Sequence, residues 1–488
     1  MRPLFALVLA LMAASSLPAQ APEPVLTLDD AIRLALANNR SLKVESYAPG
    51  IAHANWLTAV GQFDPEFVFN RSYSDTQQFE LSSVPLLDQV KTNFYSLGLQ
   101  GQAPWGLTYS ISGSAQNQGD ALTNQFAPDY YTFGGVQITQ HLLSGFGFDV
   151  NLAAVRIAKA NRSMSEWDYR QTAIETVTNV VIAYSNLLQA HDGLRIARKF
   201  QDLSNSTVSD IEKSYTIGSR SKSDVIQAQA SAASVEESVL IADRAVRDAE
   251  NQLRMLIGQD AFPPGQPLYA IEPVGYPDDI VVRPPEDYQT ALNLRPDYQA
   301  ARLGLQISRF TDAAARNGLL PQVDFVGGYG YNGVAPNFSA ARQMVTDQMN
   351  PSYSAGIQVT IPLTFAQARG KARAARLQLR QNEESLRLLE ANIALSLATA
   401  AGQIETTRQR VIADRTAYDL ANQALTAEVK KLHAGKSDIL FVLSLQGSLA
   451  QAENNVSNAL AAQRQAAANY ELQLGSTLLR HNIALAQP

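Results

Sequence analysis

Tyr353-Ser354-Ala355-Gly356-Ile357-Gln358-Val359-Thr360-Ile361 alternates, without a fault, between apolar residues and small or polar ones. In an extended chain the first set points to one side and the second to the other, so the stretch predicts a strand with two unlike faces. An earlier stretch behaves the same way: Val323, Phe325, Gly327, Tyr329 and Tyr331 alternate with Gln322, Asp324, Val326, Gly328, Gly330 and Asn332. Strands of about ten residues with one apolar face suit a barrel wall in lipid. They suit an ordinary half-buried sheet as well. Gly333 to Pro351 joins the two strands and is predicted as a long loop.

Working outward, Gly356-Ile357-Gln358-Val359-Thr360 matches Gly135-Val136-Gln137-Ile138-Thr139 at an offset of 221. Two further blocks flank this match in the same order. At an offset of 256, Asp30, Ala35, Leu36 and Pro65 fall on Glu286, Ala291, Leu292 and Pro321; at 217, Gly218, Val225, Gln229 and Gly258 fall on Gly435, Val442, Gln446 and Gly475. Three colinear blocks make the chain two copies of one unit. The predicted organisation is a signal peptide at 1–21, a first repeat at 22–258, a Pro-rich join at 259–284, a second repeat at 285–476 and a tail at 477–488.

Each copy reads helix, strands, long helix, turn, helix. Thr27 with Asp30 resembles a capping box opening a helix to about Val60, and Pro65 starts a strand. Residues 151–214 hold no Pro and one Gly, with Ile174, Val177, Val181, Tyr184 and Leu188 at helical steps. These 64 residues span about 95 Å at about 1.5 Å each. Gly218 breaks the run and a second helix follows from about Ser223 to Ile257. Copy two repeats the proportions over 285–317, 372–433 and 437–474. Helices of such length need neighbours to cover their stripes, and the Ala-rich runs Gln227–Ala233 and Ala459–Ala468 predict close approach. The fold class is mostly α: long antiparallel helices in tandem repeat, with strands that form a membrane β-barrel.

Composition narrows the function. The 488 residues carry 39 Lys and Arg against 45 Asp and Glu, a net charge of −6 that gives no basic field for nucleic acid. There is no Cys, which removes disulfides, thiolate metal sites and cysteine nucleophiles. Arg2 and the apolar Leu4–Met12 stretch, followed by Ala19-Gln20-Ala21, have the layout of a secretory signal. No later stretch is long and apolar enough to be a spanning helix, so contact with a membrane is expected from strands. In an exported chain, a sheet set between such helices with no visible soluble layer over it favours the lipid-facing reading.

Copy one has 35 more residues between its matched positions than copy two. Tyr95, Leu97 and Leu99 alternate on one arm and Leu107, Tyr109 and Ile111 on the other, around Ala103-Pro104-Trp105-Gly106. That is a hairpin with the parity of two extra spanning strands. It could equally fold as a cap outside the wall.

Together, Leu26-Thr27-Leu28-Asp29-Asp30-Ala31, the helix openings near Asn39 and Leu294, Leu319 to Gln322 before a strand, and the tandem Gly218 and Gly435 turns resemble the TolC-like outer-membrane efflux proteins. The resemblance covers almost the whole chain after the signal. It implies a homotrimer in the outer membrane of a Gram-negative-type cell: strands in one shared β-barrel against membrane lipid, helices in one α-barrel through the periplasm, and the Pro-rich joins at an equatorial belt. It implies four barrel strands per protomer, which the extra hairpin puts in question. The implied function is a passive exit duct for tripartite efflux or type I secretion, docked to a periplasmic adaptor (membrane fusion protein) and an inner-membrane transporter. A second reading, an exported coiled-coil adaptor or structural protein with a soluble sheet, uses the same residues.

The resemblance implies a constricted aperture at the Gly218 and Gly435 turns, at the far ends of the helices from the strands. Relatives commonly place acidic residues six and nine positions after the second glycine; this chain has Phe441 and Ser444 there, so that acidic gate does not carry over. Asp438 could take its place, with Phe441 as an apolar constriction, or Asp438 could be a helix N-terminal carboxylate favoured by the dipole. Asp224, Lys222 and Lys436 complete the candidate residues, with an Asp224–Lys436 pair across the turns. The expected wall residues are Val323, Phe325, Tyr329, Tyr353, Ile357, Val359 and Ile361.

Other motifs fall away. Gly435-Lys436-Ser437 lacks the earlier glycine and the preceding strand of a phosphate loop. Gly328, Gly330 and Gly333 have dinucleotide-loop spacing but sit within an alternating strand. The five His residues are scattered without ligand spacing. No cofactor, metal site or enzymatic activity is expected.

Overall fold

The computed structural model describes residues 26–80, 86–120, 129–258, 268 and 282–485. The predicted signal segment and nearly all of the Pro-rich join lie outside the described residues. Copy one comprises α1 (Leu28–Asn38), α2 (Arg40–Glu45), α3 (Ala48–Val60), β1 (Glu66–Glu80), β2 (Leu86–Gln102), β3 (Leu107–Asp120), β4 (Asp129–His141), the short α4 (Phe148–Asn151), α5 (Ala153–Thr216) and α6 (Lys222–Ile257). Copy two comprises α7 (Pro284–Leu294), α8 (Pro296–Asn317), β5 (Gln322–Ala335), α9 (Phe338–Thr346), β6 (Pro351–Thr360), α10 (Ala366–His433) and α11 (Ile439–Leu474), with α12 (Thr477–Arg480) after it. Two compact units form: one from residues up to Lys43 with Ala173–Asp287 and Ser396–Ala484, the other from Val44–Thr172 with Tyr288–Leu395.

The expected single helix from Thr27 to Val60 is broken into three. Asn39 leaves helical geometry at φ −58°, ψ 124°. Its side chain then caps the start of α2, accepting from the Leu42 N–H at 3.1 Å, and ties the break to α6 by donating to the Leu256 carbonyl at 3.0 Å. Copy two breaks at Arg295, the same position by the repeat offset, with φ −68° and ψ 120°. There Pro296 supplies the cause, because a proline disfavours the helical region for the residue before it and opens a helix well itself. At Thr27 the hydroxyl caps the Asp30 N–H at 3.1 Å and donates to the Asp30 carboxylate at 2.7 Å, so the box is not reciprocal.

The first unit is a helical core. On α5 the buried stripe is Ile174, Val177, Val180, Tyr184 and Leu187. Val181 and Leu188, expected in the seam, are half-buried because the stripe advances by three twice before it advances by four. Further along, Ile196, Phe200 and Ile211 of α5 pack with Leu425 of α10 and Ile439, Val442 and Leu449 of α11. Ala459, Ala461, Ala466, Ala467 and Ala468 are buried, as close helix approach requires. The other Ala-rich run differs: only Ala228 is fully buried there, while Gln227, Ser231 and Ala232 are half-buried and Gln229, Ala230 and Ala233 are exposed. The expected tail begins as structure, with α12 docking Thr477 and Leu478 into the core.

The second unit holds one antiparallel sheet in the order β1-β2-β3-β4-β5-β6. The β2–β3 hairpin is therefore part of the sheet, which holds six strands among the described residues where the resemblance implies four. Cross-strand register aligns the faces. Phe67, Leu99, Ile111, Val136, Tyr329 and Tyr353 form one row and Phe69, Leu97, Gly113, Gly134, Tyr331 and Pro351 the next. The opposite face reads Val68, Gly98, Ser112, Gly135, Gly330 and Ser352 in one row. The expected loop from Gly333 to Pro351 is instead the end of β5 followed by α9. Asn337 caps α9 by accepting from the Ala340 N–H at 2.9 Å. This helix lies on the apolar face, with Thr132 donating to the Ala341 carbonyl at 2.8 Å.

Candidate functional site

Both hairpin turns close in the same way. The Gly218 N–H bonds the Tyr215 carbonyl at 2.9 Å and the Ser219 N–H bonds Ser214 at 2.9 Å; Gly435 and Lys436 repeat this with Leu432 at 3.1 Å and Lys431 at 2.9 Å. These are Schellman closures, which need a residue of positive φ after the helix. Gly218 at φ 76° and Gly435 at φ 70° supply it.

The next helices start at positions equivalent by the repeat. Ser221 caps α6, accepting from the Asp224 N–H at 3.2 Å, while Asp224 accepts from the Ser221 N–H at 3.1 Å. Asp438 caps α11, accepting from the Leu440 N–H at 3.1 Å. Asp224 thus completes a capping box on its own helix, and among the described residues no ion pair joins it to Lys436. The residue equivalent to Asp224 in copy two is Phe441, which is exposed.

The turns are joined by residues outside the expected set. Arg220 donates to the Leu432 carbonyl at 3.4 Å, so the first turn reaches the C-terminal end of α10. Cations are favoured there by unsatisfied carbonyls and by the dipole. Ser437 donates to the Glu428 carboxylate, whose other oxygen pairs with Lys431 at 2.9 Å. The Ser437 hydrogen bond, then Lys431, hold the Glu428 carboxyl below the usual carboxylate range. Around these contacts lies an open cleft of about 440 Å³ lined by Arg220, Asp224, Glu428, Gly435, Lys436, Ser437, Asp438 and Phe441. Of the expected tip residues, Lys222 and Ser444 are exposed on their helices and do not line it. The charge spacing Glu428 to Lys431 and the serine after Lys436 were the available signals for the missed cluster. Neither points to the other until the turn brings them together.

The expected wall residues share one face of the sheet. Tyr353, Ile357 and Val359 of β6, Phe325 and Tyr329 of β5, and Ile361 just beyond β6 are exposed, and Val323 is half-buried. Tyr329 and Tyr331 join their hydroxyls at 2.8 Å. On the other face, His141 Nδ1 lies 2.6 Å from the buried Asp324 carboxylate, and Gln322 donates to the second oxygen at 2.7 Å. This ties β4 to β5 where the sheet meets its helices.

The family model described as outer membrane efflux protein matches residues 99–259 and 288–476. The chain is 24% identical over 342 residues to the outer membrane efflux protein BepC of Brucella suis, covering 68% of this chain and 71% of that one. It is 24% identical over 335 residues to the pyoverdine export outer membrane protein OpmQ of Pseudomonas aeruginosa, covering 66% of each. Its fold matches the outer membrane protein VceC of Vibrio cholerae with a TM-score of 0.68 at 18% identity, over 92% of this chain and 96% of that one. Tandem helical hairpins with Schellman tips, an antiparallel sheet with one apolar face, and a family match across both repeats lead to one conclusion: the chain belongs to the outer membrane efflux protein family and is an efflux-channel subunit of the outer membrane.

Proposed function

We propose that three copies of the chain close into one passive duct, which takes cargo from an inner-membrane transporter through a periplasmic adaptor and carries out no reaction of its own. The observation that carries this reading is the open sheet. β1 and β6 are its edges, and in hydrocarbon an unpaired strand edge costs several kcal/mol for each unsatisfied backbone group. Six strands are also fewer than the smallest spanning barrels use, about eight. Since β1 leaves the helix side and β6 returns to it, the two edges of neighbouring copies meet antiparallel. Exposed apolar side chains agree with this: Ile226, Leu240 and Ile241 on α6, and Leu377, Leu388, Leu395, Ile412 and Leu420 on α10, need cover. The family sets aside the soluble-adaptor reading. The test is reconstitution: the channel requires detergent, cross-links as a trimer and gives step conductance in a planar bilayer. Monomers without conductance would overturn it.

The idle aperture is assigned to the hairpin tips, where three copies would present Asp438 and Phe441 on one ring with Lys436 beside them. Asp438 uses one oxygen as a cap and remains exposed. Asn caps as well as Asp, so Asp438→Asn removes the charge and keeps the helix start. Divalent-cation block from the tip side weakens in that variant, and an unchanged block removes Asp438 from the gate. Whether the duct serves tripartite efflux or type I secretion is set by its partners; co-purification with an adaptor and a pump, or with an ABC exporter, distinguishes them.

A further inference from the structure

The repeat gives copy two a pair of strands, β5 and β6, and copy one two pairs, with β2 and β3 inserted between β1 and β4. We propose that this hairpin is a full-height part of the membrane wall, so that the trimer closes eighteen strands and its barrel is wider than a repeat-symmetric unit with two strands per copy would make it. The inference rests on the trimeric reading for the strand count, but not for the hairpin's place in lipid.

Three observations support it. First, the hairpin spans the whole sheet. Its turn is fastened at the helix side: the His141 N–H bonds the Gly106 carbonyl at 3.2 Å, the Gly147 N–H bonds Trp105 at 3.1 Å, and Gln102 donates to Asn151 at 3.3 Å. Trp105 meets Phe148 edge to face at 6.3 Å. Gly106 has φ 92°, and a Cβ there would stand 2.3 Å from the Gly145 carbonyl, so the fit admits glycine alone. A cap folded outside the wall would have no such seat.

Second, the hairpin continues both faces. Leu97, Leu99 and Ile111 sit in the apolar rows between Phe67 or Phe69 on β1 and Val136 on β4, and they are 56%, 39% and 50% exposed. Gly98 and Ser112 continue the small, polar row opposite. Third, every strand is long enough. The six run 15, 17, 14, 13, 14 and 10 residues, against the 9–11 or so that a tilted spanning strand needs.

The consequence is a wider bore. With strands about 4.8 Å apart and tilted about 40°, eighteen close on a circle about 36 Å across and twelve on one about 24 Å across. Allowing a side-chain layer of about 5 Å on the inner wall leaves about 26 and 14 Å. The larger bore passes solutes as broad as a polypeptide hairpin of two helices, each about 10–12 Å across. The wall then stops being the size filter, and selection by width falls to the hairpin tips.

The chain's lack of cysteine makes the test clean. Leu97→Cys, Ile111→Cys and, as a wall reference, Tyr353→Cys are labelled singly with an environment-sensitive fluorophore in reconstituted trimers. Spin-labelled lipid quenches all three alike if the hairpin spans. Quenching of the first two by aqueous iodide, with Tyr353→Cys still quenched by lipid, overturns the proposal and leaves the channel reading intact. Failure to cross-link as a trimer overturns the channel reading and the count of eighteen with it. Deleting 86–120 keeps the strand parity and lowers the largest polyethylene glycol admitted from the outer-loop side by about twofold in radius; an unchanged limit refutes the widening. Gly106→Val, which unseats the turn without shortening the chain, moves the Leu97 label toward iodide.

Discussion

Ser437 and Lys431 both hold the Glu428 carboxylate, one from each side of the second turn, and the strength of that hold depends on pH. Glu428 titrates below the ordinary 4.5 because Ser437 and then Lys431 favour its charged form. A depressed carboxylate contributes stability that is complete above the unfolded value and lost as pH falls through the folded one. The turn is therefore fully held at neutral pH and loosens only below about 4.5. Glu428→Gln reproduces the acid state at pH 7, with faster hydrogen exchange at the Gly435 and Lys436 amides; unchanged exchange shows that the contact holds nothing. At Gly435 itself, Ala meets no neighbour within 4 Å but must adopt φ 70°, and Gly435→Ala costs about 1 kcal/mol in unfolding free energy. The glycines and the Asp438 cap were legible because each acts within a few residues of itself. Glu428 was not, since its partner is nine residues away across a turn.

At the scale of elements, alternation named the residues that share the apolar face of β5 and β6 and the arms of the inserted hairpin, but not whether that hairpin joined the sheet. Alternation tells a strand's two faces apart and says nothing about its neighbours; the pairing of β2 with β1 and of β3 with β4 decided it. The same limit hid α9, whose cap at Asn337 lay in a stretch expected as loop. The faces predict opposite outcomes for one substitution. If the apolar face meets lipid as proposed, Leu97→Arg costs about 2–4 kcal/mol near the bilayer midplane, whereas Ser112→Arg on the other face leaves urea unfolding in vesicles close to wild type. The segment around α12 carries its own pH dependence. Burial holds His481 below the ordinary 6.5, with nearby Arg480 adding to that and Asp29 opposing it. For a depressed His the unfolded chain takes up the proton first, so stability is lost as pH falls below 6.5 and levels off below the folded value. Proteolysis near the C-terminus accelerates over that range, and His481→Asn removes the dependence.

For the whole molecule, three colinear blocks of matched residues carried the architecture, because a repeat fixes order and proportion without any single contact. The offset of 256 also relates the helix breaks at Asn39 and Arg295, neither of which the repeat foretold. What the sequence could not assign was the cover over apolar residues that one chain leaves bare. Leu240 and Leu388 are 70% and 63% exposed. Exposed single substitutions change folding by about 0.5 kcal/mol or less, so Leu240→Glu and Leu388→Glu keep far-UV circular dichroism unchanged while lowering the fraction of the proposed trimer that cross-linking captures. A trimer fraction equal to wild type in both variants would place other residues at the contact.

Arg220 spans from one turn to the last carbonyls of α10, and its equivalent in the second copy is Ser437, which cannot return the reach. Among the described residues the link at the turns themselves thus runs in one direction, while Gln446 donating to Thr207 at 3.0 Å and the apolar cluster of Ile211, Ile439 and Val442 join the two hairpins further along. In the proposed ring, a protein docking on either tip would carry the other with it through Arg220, and the seams left to part would be those between protomers.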